Sequence, residues 1–394
     1  MINRSAGSMN SFLDLVCRKI HKGNLKFPYS YNYIIESDVN QPYSRAEINF
    51  RTKGCKRRYQ GGCTMCCYWL SDTISAEEIV QAVNDALSSL SGAPNLLILN
   101  PFGSMFDDWE VPPIARGQIF KSLARFTGIK IVFETRADSI TKEKISECAT
   151  ILAGNTVEIE LGIESSNKWI RKYCINKSIN HSEIVNAVNI IKAQKLKPVA
   201  NILLGTPFLD FPEMILDATS SINWCLNNGF ERCVLFPLNI KPWTLVSWLK
   251  NNDLYQLPSL WAIVNVLELL ETRFLRFTEV VWYKSQISYS PNYQPIQYAP
   301  TTCPICYKTV VGLFDEYSTE KENRVHVLAK LTKFQCECKE DWNNKKVSNP
   351  IDNPDLNTRI ETYYRYMGLK ILGESWWEEH GQVVINEIEP FFIE

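Results

Sequence analysis

Cys55, Cys63 and Cys66 stand in a C-x7-C-x2-C spacing on one loop, Gly54 to Trp69, which also carries Gly54, Gly61 and Gly62. Three thiolates on a flexible loop can wrap a single inorganic centre. A structural zinc closes with four protein ligands and an iron–sulfur cube ordinarily takes four cysteines, so a set of three leaves one metal corner open. A zinc knuckle completed by Cys67 or by a remoter residue is the other chemistry this spacing allows. Two further pairs, Cys303-Pro304-Ile305-Cys306 and Cys336-Glu337-Cys338, lie about 30 residues apart, a spacing open to a four-thiolate zinc site, a second iron–sulfur cluster or separate core thiols. Lys321, Arg324, Lys330, Lys333, Lys339, Lys345 and Lys346 surround these pairs with Phe334 and Trp342 between them. Such a mixture suits phosphates and stacked bases, or a solvated charged face diluted by Glu320, Glu337 and Asp341.

Composition limits what these sulfurs can serve. The 394 residues are 45% hydrophobic, enough for a barrel-sized core plus a smaller unit. A net charge of −1 excludes a global basic field, so any nucleic-acid contact rests on local patches. Met1 to Asn10 carry no apolar signal core, and no run reaches the ~18 apolar residues of a membrane span. The chain therefore reads as soluble and cytoplasmic, with no membrane partner. In a reducing compartment its thirteen cysteines favour metal thiolates over disulfides, and Cys17, Cys148, Cys174, Cys225 and Cys233 read as small buried hydrophobes.

The elements that must position the loop follow from periodicity. Six apolar segments read as strands: Ala46–Arg51, Asn95–Asn100, Ile129–Glu134, Val157–Gly162, Val199–Leu204 and Cys233–Pro237. Helical segments alternate with them, opened by the capping box Ser75-Ala76-Glu77-Glu78, by Pro113, by Lys142, by Asn180 to Glu183 and by Pro212. Strict alternation at about 30-residue spacing is parallel βαβ winding, and it excludes a bare zinc knuckle. Periodicity leaves an open doubly wound sheet and a barrel equally possible. We expect three parts: 1–43 as an N-terminal helix and strap, 44–250 as the βα core, and 251–394 as a C-terminal extension. Within that extension, residues 258–275 and 352–373 read as helices, and 303–338 hold the possible four-cysteine metal site.

In a parallel barrel the carboxyl ends of the strands build the site. Asn100 to Met105, Glu134 to Asp138, Gly162 to Ser166 and Asn201 to Pro207 occupy those ends and supply groups able to bind ribose hydroxyls, an ammonium or a carboxylate. The loop Gly61-Gly62-Cys63-Thr64-Met65-Cys66 after the first strand resembles the cluster loop of the radical S-adenosylmethionine (radical SAM) superfamily, and Arg45 to Ile240 resembles its partial (β/α)6 TIM-like barrel. Phe133 to Arg136, Gly162 to Ser165, Cys174 to Lys177, Asn239 to Val246 and Leu257 to Trp261 look like the archaeosine-biosynthesis branch (RaSEA), related to the elongator-like proteins.

That resemblance implies an α/β fold with a 4Fe-4S cluster on Cys55, Cys63 and Cys66, whose free iron takes the amino and carboxylate groups of S-adenosylmethionine. It assigns Ser104, Glu134, Glu164, Lys177 and Asn201 to that cofactor, and Arg136 or Lys177 to its carboxylate. It further implies a radical SAM enzyme fed by an electron donor such as flavodoxin or ferredoxin. The substrate it implies is a lysine-modified deazaguanine in tRNA, cleaved at a carbon–nitrogen bond; a free small molecule is the other substrate class, and a zinc-stabilised nucleic-acid binder the non-catalytic reading. The extra thiol Cys67 is either a packed neighbour of the cluster or a hydrogen donor to a product radical. The doubled Cys66-Cys67 and the cysteine-bearing tail depart from the branch's pattern.

Overall fold

The computed structural model describes residues 11–21, 33–38, 44–68, 74–90, 92–284, 296–345 and 355–391. Trp69 at the end of the cysteine loop, Lys346 of the basic set and most of the strap, including residues 22–32 and 39–43, lie outside the described residues.

Among the described residues one eight-stranded sheet runs in sequence order. Its strands are β1 (Tyr33–Asp38), β2 (Arg45–Phe50), β3 (Leu96–Pro101), β4 (Lys130–Thr135), β5 (Thr156–Glu164), β6 (Lys197–Leu204), β7 (Arg232–Pro237) and β8 (Thr278–Val280). Strands β2 to β8 are all parallel, and β1 pairs antiparallel with β2, Tyr33 opposite Phe50. The six expected strands are all present, and the sheet gains β1 from the strap and β8 from the expected C-terminal extension. The parallel set curls into a half-barrel, an α/β architecture of the partial TIM-like type, because right-handed βαβ crossovers cover its outer face with helices. Leu97, Leu99, Ile131, Phe133, Ile159 and Leu161 are buried against those helices. Phe106 and Phe120 pack against Phe133 there with centroids 6.1 and 5.4 Å away.

The strand-to-helix turns are set by local chemistry. Ser75 caps Ala76–Ser88, Thr141 caps Lys142–Ile151, and Asp210 caps Phe211–Asn227, with reciprocal capping boxes at Ser75–Glu78 and Asp210–Glu213. Inward-facing residues of the strands, such as Glu47, Ile98, Val132, Glu160, Asn201 and Val234, line an interior cavity.

Both ends of the chain close over the same side. Helix Phe12–His21 places Phe12 against Tyr364, Trp376 and Trp377 of the C-terminal helices Leu356–Met367 and Glu374–Asn386. The last of these helices was not expected from the sequence, whereas the helix read over 352–373 runs from Leu356 to Leu372, its final turn, Gly368–Leu372, widened. Gly368 and Gly381 both lie under the Trp377 ring, where any Cβ would collide with it. Among the described residues no helix is long and apolar enough to cross a membrane.

Candidate functional site

The cysteine loop follows β2 and is held by backbone and side-chain bonds from three directions. Cys55 N–H donates to Tyr68 O at 2.7 Å and closes the loop on itself. Thr64 N–H donates to Ile175 O, its hydroxyl to Cys174 O at 2.8 Å, and Val246 N–H donates to Thr64 O. Asn176, itself left-handed at φ 62°, donates its amide to Gly62 O, Gln60 O and the Asp14 carboxylate. Arg57 donates to Asn176 O at 2.6 Å. Gly61 sits at φ 78° against the Asp14 backbone, where a Cβ would overlap main-chain atoms. These bonds hold the segment, which carries one short 3-10 turn at Lys56–Gln60, as a cradle.

Cys55, Cys63 and Cys66 are half-buried and all line the cavity. Burial, then Glu110, pushes the Cys55 thiol up to about 12, and burial holds Cys66 well above its ordinary range. An electropositive centre is what would draw such thiols into thiolate form. Among the described residues the loop cysteines do not gather tightly enough to share one ion, whereas Cys303, Cys306, Cys336 and Cys338 do. Cys67 is 7% exposed and does not line the cavity.

Arg136, just past β4, organises the wall beside Cys55. Its guanidinium reaches Asp107 at 2.7 Å, Glu110 at 2.5 Å and Asp138 at 3.1 Å, and donates to Cys55 Sγ at 3.4 Å. Glu110 is fully buried, accepts from Lys56 N–H and Ser104 N–H as well, and is pushed up to about 7 by burial against the pull of Arg136. Arg136 is thus committed to three carboxylates and a cluster-loop sulfur in this structure. Ser104 does not line the cavity; its hydroxyl meets Thr135 Oγ1 at 2.5 Å and Ser139 Oγ at 2.9 Å and accepts from Arg136 N–H.

Glu134, Glu164, Lys177 and Asn201 come together around the cavity, whose volume is about 2210 Å³. That exceeds roughly twofold the upper end for a drug-sized ligand. Lys177 Nζ donates to Gly162 O at 2.5 Å and pairs with Glu164 at 3.1 Å. Glu164 is held left-handed at φ 66° beside a register shift in β5, a backbone state that costs a non-glycine residue about 1 kcal/mol or more and clusters at functional sites. Its Oε2, with Asn201 Oδ1 and Asn239 Oδ1, is buried without a protein donor. All three are cavity-lining acceptors, suited to an ammonium or to hydroxyls. Three sulfurs beside unfilled acceptors fit a thiophilic cluster that carries an amino-acid and ribose ligand.

Four carboxyl groups face the same cavity, Glu47 from β2, Glu134 from β4 and Glu160 and Glu164 from β5. Burial, then Glu160 and Glu47, raises Glu134 well above the usual carboxylate range, with Lys241 opposing. Lys241 Nζ lies 4.8 Å from the Tyr68 ring centre and 5.5 Å from that of Trp282, both on the cavity wall. Glu110, Asp107, Lys241, Asn239, Tyr68, Glu47 and Glu160 were not identified from the sequence. The Lys-Pro-Trp segment at 241–243 and the acidic run 107–110 were visible signals; partnership at long range was not.

The basic residues of the tail are mostly engaged. Arg324 is 1% exposed and binds the carbonyls of Tyr317, Leu275 and Arg276, Lys321 pairs with Glu279, and Lys330 pairs with Glu316.

No family model matches the chain. It is similar to an uncharacterized protein of Methanocaldococcus jannaschii, 32% identical over 248 residues that span 59% of this chain and 67% of the relative. It is also similar to archaeosine synthase subunit beta of Methanosarcina acetivorans, 28% identical over 76% of this chain and 84% of the relative. Among solved structures it is similar to a queuine lyase from Clostridium spiroforme bound to SAM and queuine, with 19% identity and a TM-score of 0.40 over 57% of this chain and 91% of that one.

Proposed function

We propose that the chain, which shares a family with the M. jannaschii protein and is similar to archaeosine synthase subunit beta, is a cytoplasmic radical SAM enzyme acting on a modified nucleobase in tRNA. The carrying observation is that Cys55, Cys63 and Cys66 line one cavity with Glu134, Glu164, Lys177 and Asn201, at the carboxyl ends of parallel strands. When bound, the 4Fe-4S cluster and S-adenosylmethionine supply one-electron cleavage of a carbon–sulfur bond and a hydrogen-abstracting radical.

The protein's part is placement. Cys55, Cys63 and Cys66 would hold three irons, and Arg136 steadies the Cys55 sulfur by a hydrogen bond. Glu164 and Asn201 offer their unfilled oxygens to ammonium and hydroxyl donors, while Lys177 fixes the Glu164 carboxylate. Glu134, held toward its protonated form by burial and by Glu160 and Glu47, would be drawn to its charged form by a cationic arm on the substrate. Cleavage of a carbon–nitrogen bond to leave an amidine is the reaction this reading assigns, as the sequence's resemblance to the archaeosine-biosynthesis branch implies. A reduced flavodoxin or ferredoxin would deliver the electron. Cys67 takes a packing role, since it is buried away from the cavity.

A free small molecule is the competing substrate class, favoured by the internal pairing of the tail's cations. Anaerobic reconstitution, reduction with dithionite and chromatography should detect 5′-deoxyadenosine; its absence with full iron loading would remove the enzymatic reading. Titrating unmodified tRNA at rising salt then separates substrates. Binding that weakens steeply with salt supports RNA, and a flat response removes it.

A further inference from the structure

We propose that Cys303, Cys306, Cys336 and Cys338 bind one zinc ion in a closed four-thiolate site that fastens helices Tyr307–Thr319 and Glu337–Lys345 to the outer face of the half-barrel. The four Sγ atoms lie within 4.8 Å of one another, and four of the pairs, 303–306, 303–336, 306–338 and 336–338, are 3.5 Å apart. A tetrahedral ion with zinc–sulfur bonds of about 2.3 Å requires sulfurs about 3.8 Å apart, so one ion fits at their centre with little movement. A second iron–sulfur cube does not fit: each of its cysteines binds a separate corner, which spreads the sulfurs well beyond contact.

N–H donors surround the sulfurs. Trp261 Nε1–H, a group that can only donate, points at Cys338 Sγ from 3.3 Å and belongs to a ring that is 1% exposed. Backbone N–H groups of Cys306 and Cys338 face the sulfurs of Cys303 and Cys336. N–H donors on three of the four sulfurs are the outer contacts that orient metal ligands.

Four protein ligands leave no open position, so this ion would hold structure and take no part in catalysis. Its ligands stand at the start of helices Tyr307–Thr319 and Glu337–Lys345, and the Trp261 that contacts them opens helix Trp261–Leu269, packed on Phe211–Asn227 of the half-barrel. Trp342 repeats the link, its ring 4.7 Å from Phe211 and its Nε1–H donating to Asn265 at 2.8 Å. Lys339 adds to it, its ammonium over the Trp261 ring and bonded to the Leu331 and Phe334 carbonyls.

Metal analysis of the full chain after anaerobic iron–sulfide reconstitution is the test, with about one zinc expected beside roughly four irons. In C303S/C336S zinc should fall at least tenfold with iron unchanged, and Trp261→Phe should weaken zinc about tenfold while leaving the site tetrahedral. Wild-type protein stripped by a chelator and given cobalt(II) should show the visible bands of a tetrahedral thiolate site, a readout that needs no variant to fold. Absence of those bands in cobalt-treated protein, or iron that halves in C303S/C336S while the wild type carries no zinc, would overturn the proposal.

Discussion

Replacing Arg136 with methionine tests whether the wall beside Cys55 is held by charge or by packing. The side chain is 9% exposed and its partners Asp107 and Glu110 are 11% and 0% exposed, so its loss strands two carboxylates with little access to water. Breaking a buried pair from one side costs about 3 to 5 kcal/mol. The lower end applies here, because Glu110 already titrates at about 7 and can escape by taking a proton. Asp138, 39% exposed, adds little once solvent screening is counted. We therefore expect about 3 kcal/mol lost in R136M, measured by urea denaturation of the iron-free, thiol-reduced chain at neutral pH. The double variant R136M/E110Q should regain about 1 to 2 kcal/mol, since the amide no longer needs a counter-charge. A loss under about 1 kcal/mol in R136M, or no recovery in the double variant, would show that the ion pairs contribute nothing beyond shape.

Asp217, bonded to Ser165 Oγ at 2.6 Å, is raised by burial from 3.8 to about 7. Its folded pKa lies above its unfolded one, so its contribution to stability is complete below about pH 4 and lost as pH rises through 7, by at most about 4 kcal/mol. Asp217→Asn should flatten that slope, and parallel wild-type and variant profiles in thermal melts from pH 4 to 8 would refute the assignment. Cys55→Ser, Cys63→Ser or Cys66→Ser should each remove most of the reconstituted iron and the brown chromophore, whereas Cys67→Ser should keep both; equal iron in all four would deny the loop its cluster. Glu164→Gln and Asn201→Ala should each weaken S-adenosylmethionine binding about tenfold with iron unchanged, read by calorimetry on reconstituted protein, since each removes an acceptor left open by the protein.

How much of this was legible in the sequence depends on range. The six parallel strands could be read because each carries a short apolar run, continuous in Leu96–Leu99 and alternating in Ala46–Phe50 and Val157–Leu161, set between helical patterns. Strand β1 could not, since Tyr33–Asp38 sits in a polar, aromatic-dotted strap and pairs antiparallel at the sheet's edge, and β8, Thr278–Val280, is too short for a periodic signal. Cysteine spacing marked both sulfur groups, since metal chemistry constrains local sequence. It could not say that the loop's sulfurs stay apart while the tail's crowd together; that is a property of packing. Ser104, beside a glycine, looked like a ligand contact, yet folding turns its hydroxyl toward Thr135 and Ser139, more than thirty residues on. Glu110 was passed over because its importance lies entirely in partners brought from Lys56, Ser104 and Arg136.

Asn176 draws together Asp14, Gln60 and Gly62, while Phe12, two residues before Asp14, is wedged among Tyr364, Trp376 and Trp377. Residues from the last tenth of the chain thereby brace a helix from the first tenth that bears on the sulfur-bearing segment. A purification handle or a truncation that loosens this brace would be felt first as poor iron retention, well before the half-barrel itself lost its shape.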